Sequence, residues 1–197
     1  HGVAVTMTRT DGKEVSLAKR CEIANGIPGL NLFVSLHSNA TGSGGWSSAS
    51  GWSEYIYGPG GDREKAAQDI LAAVKAAGIT VRSTPIVYDP GLYVLKHTVA
   101  PAVLLEQGFH TNQGDVANLK DAAYRRRLAE AEAKGILTYL GIPWKEDTAN
   151  TDFERAIQWV RENGIMLGNT DGDMMLDQPV TRKQFAVMLY RYHEKFG

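Results

Sequence analysis

The feature that most constrains the fold is an apolar run, residues 31–40, that ends in His37 and then in small polar residues. About four to eight apolar residues bounded by turn-forming residues are typical of a strand buried on both faces, as in a parallel sheet covered by helices. A second apolar run, residues 102–109, contains Glu106. Because ligands of open α/β sheets bind at the carboxyl ends of the strands, both side chains are candidates for a site at that edge.

Each of these two side chains also has a structural interpretation. A histidine at a strand end is more often a hydrogen-bonded structural residue than a metal ligand. Glu106 is harder to explain in that way, because a carboxylate that follows apolar strand residues is partly desolvated, which is costly unless it is paired or used in chemistry. The residues alone leave both interpretations open.

Composition limits the possible classes of protein. A chain of 197 residues can form one moderate domain and a small second one. The formal net charge of -1 argues against a nucleic-acid partner, since no basic field is available to neutralise phosphates. The single cysteine, Cys21, excludes an intrachain disulfide and a multi-cysteine zinc site. No stretch has the apolar length that a membrane span requires.

Strand-like and helix-like patterns alternate up to residue 140, which predicts an α/β domain with three layers and a mostly parallel sheet. The predicted strands are residues 3–5, 31–37, 54–57, 79–82, 92–95 and 102–106, and the predicted helices are residues 16–25, 62–77 and 122–140. Residues 141–151 break the pattern and are predicted to be a linker. Two amphipathic helices, about residues 152–163 and 181–196, are expected after it.

A glycine- and serine-rich loop, residues 41–53, contains Trp46 and Trp52 directly after the His37 strand. Aromatic residues on a loop beside a site often hold a sugar or a peptide. The simpler alternative is that both indoles only fix the loop onto the domain. The sequence does not decide between these two roles.

Residues 1–140 resemble the zinc-dependent N-acetylmuramoyl-L-alanine amidases of type 3. The matching motifs occur in the family's order: Thr8-Arg9, residues 15–17 with Arg20, residues 24–25, residues 33–40, residues 92–95, and residues 101–106 with residues 108–109 and 111–112. Several ordered matches are more specific than any single motif. The resemblance implies the fold of this family and its reaction, hydrolysis of the amide between N-acetylmuramic acid and the L-alanine of the peptidoglycan stem peptide.

The resemblance also implies roles for individual residues. His37 corresponds to a zinc ligand and Glu106 to the catalytic acid/base, with Zn²⁺ as the cofactor. We further predict substrate contacts at Asn39, Trp52 and His110.

The resemblance is incomplete, because the family's other two zinc ligands, a histidine in a Gly-His-Gly-Gly turn and a later glutamate, belong upstream of residue 1. We therefore interpret the chain as an amidase domain whose N-terminal part is missing, and expect it to bind zinc poorly on its own. His97 and Glu54 are more simply local structural residues than substitute ligands.

Residues 152–197 resemble an S-layer homology (SLH) module, a class that binds secondary cell-wall polysaccharide. The matching motifs are Ala156-Ile157 with Trp159, residues 162–165, Gly168, Asp171-Gly172, residues 179–182, Phe185-Ala186 and residues 189–191. The resemblance implies polymer binding by Thr181 and Arg182. Arg182 at a helix N-terminus could bind an anionic group, whereas the alternative is that Thr181 only caps the helix.

Three functions remain open at this point. The first is a lytic amidase that acts on peptidoglycan, either a secreted, wall-associated autolysin or a phage endolysin. The second is a non-catalytic cell-wall-binding protein with a degenerate amidase fold. The third is a different zinc hydrolase of related layout, such as a peptidase.

Overall fold

The structure, a computed structural model, describes residues 1–42, 44–145, 148–169 and 172–197, except for the side chains of residues 148–152. Ser43 of the predicted loop, Glu146 and Asp147 of the predicted linker, and Asp171 of the SLH pattern lie outside the described residues. The chain forms two compact units, residues 1–144 and 145–197.

The first unit is built on a four-stranded, mostly parallel sheet with the strand order β1-β4-β2-β3. Its strands are β1 (Phe33–Asn39), β2 (Trp52–Ile56), β3 (Val81–Tyr88) and β4 (Ala102–Phe109). Its helices are α1 (Leu17–Asn25), α2 (Gly61–Ala76), α3 (Tyr93–His97), α4 (Gln113–Lys120) and α5 (Ala122–Tyr139). Strand β1 is parallel to β4, and β2 is parallel to β3, whereas β2 and β4 are antiparallel.

Helices cover both faces of this sheet, which confirms the predicted three-layer α/β fold. One core lies between the sheet and helices α2 and α5, and it includes Trp52, Ile56, Ile70, Val103, Leu105 and Leu128. The other lies between the sheet and helices α1 and α3, and it includes Cys21, Ala24, Phe33, Val94 and Leu104. Since successive side chains of a strand point to opposite faces, the even-numbered residues of β4 face α1 and α3.

Helix α5 packs closely against helix α2 at Gly135. A Cβ atom added at Gly135 would overlap the backbone of Ile70 and lie 2.9 Å from the backbone oxygen of Asp69. The absence of a side chain at Gly135 therefore allows α5 to pack directly on the backbone of α2. The same helix buries Leu128, Ala131 and the side chain of Glu132.

Two predicted strands are wrong. Residues 3–5 form no strand, and Val5 is 76% exposed; alternation of apolar residues is insufficient where no neighbouring strand pairs with the segment. Residues 92–95 belong mainly to helix α3, in which Lys96 N–H donates to the Leu92 carbonyl and Thr98 N–H donates to the Val94 carbonyl. A short apolar run cannot distinguish a strand from a buried helical turn.

The second unit contains helices α6 (Thr148–Glu162) and α7 (Arg182–Phe196). Thr181 caps α7: its hydroxyl accepts from the backbone N–H of Gln184, whose side chain accepts from the backbone N–H of Thr181. The rings of Trp159 and Phe196 stack with their centroids 5.5 Å apart. In the described part of the chain, no helix has both the length and the apolar character needed to cross a membrane.

Candidate active site

His37 and Glu106 occupy paired positions on the adjacent parallel strands β1 and β4. Neighbouring strands lie about 4.8 Å apart, and side chains at paired positions point to the same face. Both therefore face the α1–α3 side of the sheet, close to the carboxyl ends of their strands. The structure thus brings together the imidazole and the carboxylate that the sequence identified separately.

The carboxyl group of Glu106 is only partly accessible to solvent. Its Oε2 atom is buried, and no described residue forms a hydrogen bond with it. Burial raises the pKa of this carboxyl group to about 7, because desolvation penalises the charged form. A carboxyl group with this pKa can exchange a proton near neutral pH, as a general acid/base must do.

The hydroxyl of Ser53 lies on the other side of Glu106. Ser53 pairs with Glu106 across the antiparallel β2–β4 ladder, and it is fully buried. Like Glu106 Oε2, its Oγ atom has no hydrogen-bond partner among the residues that the structure describes. Unpartnered polar atoms of this kind are rare in protein interiors, and here two of them belong to side chains on one face of adjacent strands.

His37 contacts Ser35 on its own strand, and the charge of Arg20 on α1 acts on its ring. Its Nε2 atom is 2.9 Å from Ser35 Oγ, since residues two apart in a strand share a face. Burial lowers the pKa of His37, and the positive charge of Arg20 lowers it further, so the ring favours its neutral form. The Arg20 guanidinium is fixed by the Val15 carbonyl at 3.0 Å and by Thr8 Oγ1 at 3.2 Å.

The rim beyond these strands contains Asn39 and His110. The side-chain Nδ2 of Asn39 donates to the Tyr55 hydroxyl at 3.4 Å. His110 N–H donates to the Asn39 carbonyl at 2.9 Å, and its ring Nδ1 lies 3.1 Å from Ser38 Oγ. The strand register shifts between His37 and Asn39, and Gly108 opposite has a φ of 123°, a conformation that favours glycine. This irregularity turns the chain after Glu106 towards the rim of the site, the edge of the sheet at the carboxyl ends of β1 and β4.

Trp52 does not lie at this site, contrary to the prediction that it contacts substrate. It is 1% exposed and points to the α2–α5 face, where its Nε1 donates to Glu132 Oε1 at 2.9 Å. Gln107 Nε2 donates to the other oxygen of Glu132 at 2.7 Å. Residue alternation along β2 determines this position, because Ser53 takes the face shared with Glu106. Trp52 therefore fixes its loop onto the domain, as in the alternative interpretation.

Glu54 is also on the α2–α5 face, so it does not approach His37. It is fully buried, and none of the described residues donates a hydrogen bond to either of its carboxylate oxygens. Burial raises the pKa of Glu54 to about 9, and the nearby charge of Glu132 adds to this effect. Burial likewise raises the pKa of Glu132, although the hydrogen bonds from Trp52 and Gln107 oppose the change.

The described residues do not form a complete metal site. A catalytic zinc ion usually has three protein ligands, yet no three His, Cys, Asp or Glu side chains come together outside residues 43, 146–152 and 170–171. His97 stacks on the ring of Tyr93 with the centroids 4.2 Å apart, as a local structural residue does. His37 is thus a single candidate ligand, and the donor set present does not fit a zinc centre by itself.

Residues 1–138 match the family described as N-acetylmuramoyl-L-alanine amidase. The chain belongs to this amidase family. The amidase domain is 32% identical over 138 residues to N-acetylmuramoyl-L-alanine amidase CwlM of Bacillus licheniformis, an alignment that covers 69% of the chain and 51% of CwlM. The chain thus spans about half the length of the curated relatives that it matches.

Solved structures agree with this assignment. The catalytic domain of CwlV, an N-acetylmuramoyl-L-alanine amidase from Bacillus (Paenibacillus) polymyxa var. colistinus, superposes with a TM-score of 0.62 at 32% identity, covering 71% of this chain and 74% of that domain. N-acetylmuramoyl-L-alanine amidase AmiC2 of Nostoc punctiforme gives a TM-score of 0.62 at 30% identity, and the superposition covers 72% of this chain and 74% of AmiC2. The mixed α/β architecture of the amidase domain is therefore that of known amidase catalytic domains.

Sequence reasoning missed several residues that shape the amidase domain's site. Ser35 could have been found, because it lies two residues before His37 on the same strand and so shares its face. The pairing of Ser53 with Glu106 depends on strand order. The contacts of Glu132 with Trp52 and Gln107, on the opposite face of the sheet, depend on helix packing. No local sequence pattern contains that information.

Proposed function

We propose that the amidase domain hydrolyses the amide bond between the lactyl group of N-acetylmuramic acid and the L-alanine of the peptidoglycan stem peptide. The observation that supports this most directly is the paired position of His37 and Glu106 on adjacent strands. The amidase relatives favour this function over a non-catalytic wall-binding role.

Glu106 is the proposed acid/base. As a carboxylate, it takes a proton from the water that attacks the amide carbonyl carbon, and a tetrahedral intermediate forms. As a carboxylic acid, it returns that proton to the amide nitrogen as the C–N bond breaks, so that L-alanine leaves as an amine. Its raised pKa supports both steps, because the two protonation states are then close in free energy near neutral pH. Asn39 and His110 on the rim are proposed substrate contacts.

Product analysis tests the proposed reaction. A protein that contains this chain and lyses cell walls is expected to release new L-alanine amino groups from purified peptidoglycan, with no new reducing sugar ends. It should leave the bonds within the stem peptide intact. New amino groups at other peptide positions would instead indicate a peptidase and would contradict the proposal.

We propose His37 as the residue of this chain that ligates zinc, on the basis of the family resemblance. A single imidazole provides little of the binding free energy of roughly 10–16 kcal/mol that complete structural zinc sites supply. We therefore expect half of the chains to bind zinc only at Zn²⁺ concentrations above about 10 μM. NMR titration with Zn²⁺ should shift the ring signals of His37 more than those of His193 in the second unit, and His37→Ala should remove this response. Tight one-to-one binding together with wall hydrolysis would refute the expectation.

The second unit is proposed to be an SLH-like module, residues 152–197, that holds the protein on secondary cell-wall polysaccharide. Arg182, in the first turn of α7, is the proposed contact for an anionic group of the polymer, aided by the backbone N–H groups of Arg182 and Lys183, which precede the capped N–H of Gln184. Thr181 supports this arrangement as the helix cap. Together the two units favour an extracellular, wall-associated protein or a phage-encoded enzyme acting on the host wall.

A further inference from the structure

We propose that Trp46 and the hollow beside it bind a pyranose ring of the glycan strand, next to the bond that is cleaved. This inference deepens the proposed function and rests on it. The two tryptophans of the loop differ sharply: Trp52 is 1% exposed, whereas Trp46 is 64% exposed. An indole presented to solvent at the rim of a candidate active site contributes little to the core and is available to a ligand.

The loop that carries Trp46 is fixed to the chain segment that follows Glu106. Ser47 N–H donates to the Thr111 carbonyl at 2.8 Å, and Asn112 Nδ2 donates to the Ser47 carbonyl at 3.0 Å. Asp115 Oδ2 accepts from the backbone N–H groups of Gly51 at 2.9 Å and Phe109 at 2.8 Å. These bonds hold the loop in place without using the indole of Trp46, so a ligand that binds there need not order the loop first.

A hollow of about 250 Å³ lies against the indole. The described residues that line it are Trp46, Ser47, Asn112, Gln113 and Gly114. Its volume is below the range of about 300–1,000 Å³ that is typical of pockets for drug-sized ligands. The hollow therefore has room for a single ring rather than for an extended peptide.

The lining favours a sugar over the stem peptide. A pyranose has one face of C–H groups, which packs on the negative face of an indole, and a polar edge that needs amide or hydroxyl partners. Gln113 and the backbone of Gly114 provide such partners beside Trp46. The described lining residues are all uncharged, which suits a neutral sugar and offers nothing to the ionised carboxylates of a stem peptide.

The position of the hollow agrees with the geometry of the substrate. The scissile amide joins the peptide to a lactyl group that is itself attached to a sugar ring, so a sugar must lie within a short distance of Glu106. One of the two segments that line the hollow begins at Asn112, two residues after His110 on the rim of the site. The other is bonded to the same stretch, because Ser47 N–H donates to the Thr111 carbonyl at 2.8 Å. A sugar bound to Trp46 would therefore orient the glycan strand, so that the amide on its lactyl group lies near Glu106.

The test uses the intact chain and the tetramer of N-acetylglucosamine, a glycan without any peptide. We expect the tetramer to shift the indole N–H NMR signal of Trp46, and Trp46→Ala to weaken binding at least tenfold, measured by isothermal titration calorimetry. Trp46→Phe should retain part of the affinity, and Gln113→Ala should reduce it. Val99→Ala, which removes an 87% exposed apolar side chain before the start of β4, at the opposite end of that strand from the hollow, is the control and should leave the affinity unchanged.

A tetramer that fails to bind, or that binds Trp46→Ala as well as the unsubstituted chain, would overturn the proposal. It would also be overturned if free stem peptide, but not the tetramer, shifted the Trp46 signal. The assay requires no catalysis. Binding of the tetramer that depends on Trp46 would therefore support the sugar site even if product analysis failed to show amide cleavage, so failure of one proposal can be distinguished from failure of the other.

Discussion

Glu106→Gln is expected to lower the rate of amide hydrolysis by about 100- to 10,000-fold, the range that a positioned acid/base contributes. The amide keeps the size and part of the hydrogen-bonding capacity of the carboxyl group, but it can neither accept a proton from water nor return one to the leaving nitrogen. The measurement is the release of L-alanine amino groups from peptidoglycan by an active protein that contains this chain.

The matched control is Glu22→Gln on the exposed surface of α1, where Glu22 forms an ion pair with Lys19. Exposed ion pairs contribute about 0–1 kcal/mol, so this variant should retain full activity and stability. Glu106→Gln should also fold, because it removes no hydrogen bond at Oε2 in the described structure. A Glu106→Gln variant with undiminished activity would show that another group acts as the base.

The positions of His37 and Glu106 could be predicted because each lies within an apolar strand, and parallel strands place their carboxyl ends at one edge of the sheet. The buried strand pattern is strong enough to identify such segments without an alignment. The cap at Ser16, whose hydroxyl accepts from Lys19 N–H at 3.2 Å, was predictable for a similar local reason.

The remainder of the site could not be predicted because it depends on contacts between distant segments. Residues 92–95 have β-type composition, yet residues 93–95 lie in helix α3, where Val94 and Leu95 are buried beside α1. Trp52 and Trp46 have the same loop composition around them, but Trp52 is the first residue of β2 and is buried, whereas Trp46 precedes that strand and is exposed. Tertiary packing thus decides roles that local pattern leaves open.

Glu54 is the residue whose substitution should change the stability of the amidase domain most strongly with pH. In the folded chain, burial and the charge of Glu132 raise the pKa of Glu54 to about 9, whereas the unfolded chain has a value of about 4.3. Between these two values the folded state binds one more proton than the unfolded state. The contribution of Glu54 to the free energy of unfolding is therefore fully present below the pKa of the unfolded state. It is lost progressively as the pH rises towards the pKa of the folded state.

Glu54→Gln removes this loss, because the amide is neutral at every pH. We expect the variant and the unsubstituted chain to have similar free energies of unfolding at about pH 4.5. The variant should then gain by up to about 1.4 kcal/mol per pH unit, so that its advantage at pH 8 is on the order of 5 kcal/mol. Urea denaturation followed by circular dichroism at a series of pH values measures the difference.

The control for this experiment is Glu130→Gln, on the same helix as Glu132 but paired with Arg126 at the surface. Because exposed pairs are worth about 0–1 kcal/mol, its effect should be small at every pH. Glu132→Gln should differ from both, since it disturbs the hydrogen bonds from Trp52 and Gln107. If the advantage of Glu54→Gln were the same at pH 5 and pH 8, Glu54 would be ionised in the folded chain, and a partner for its charge would have to lie on the α2–α5 face.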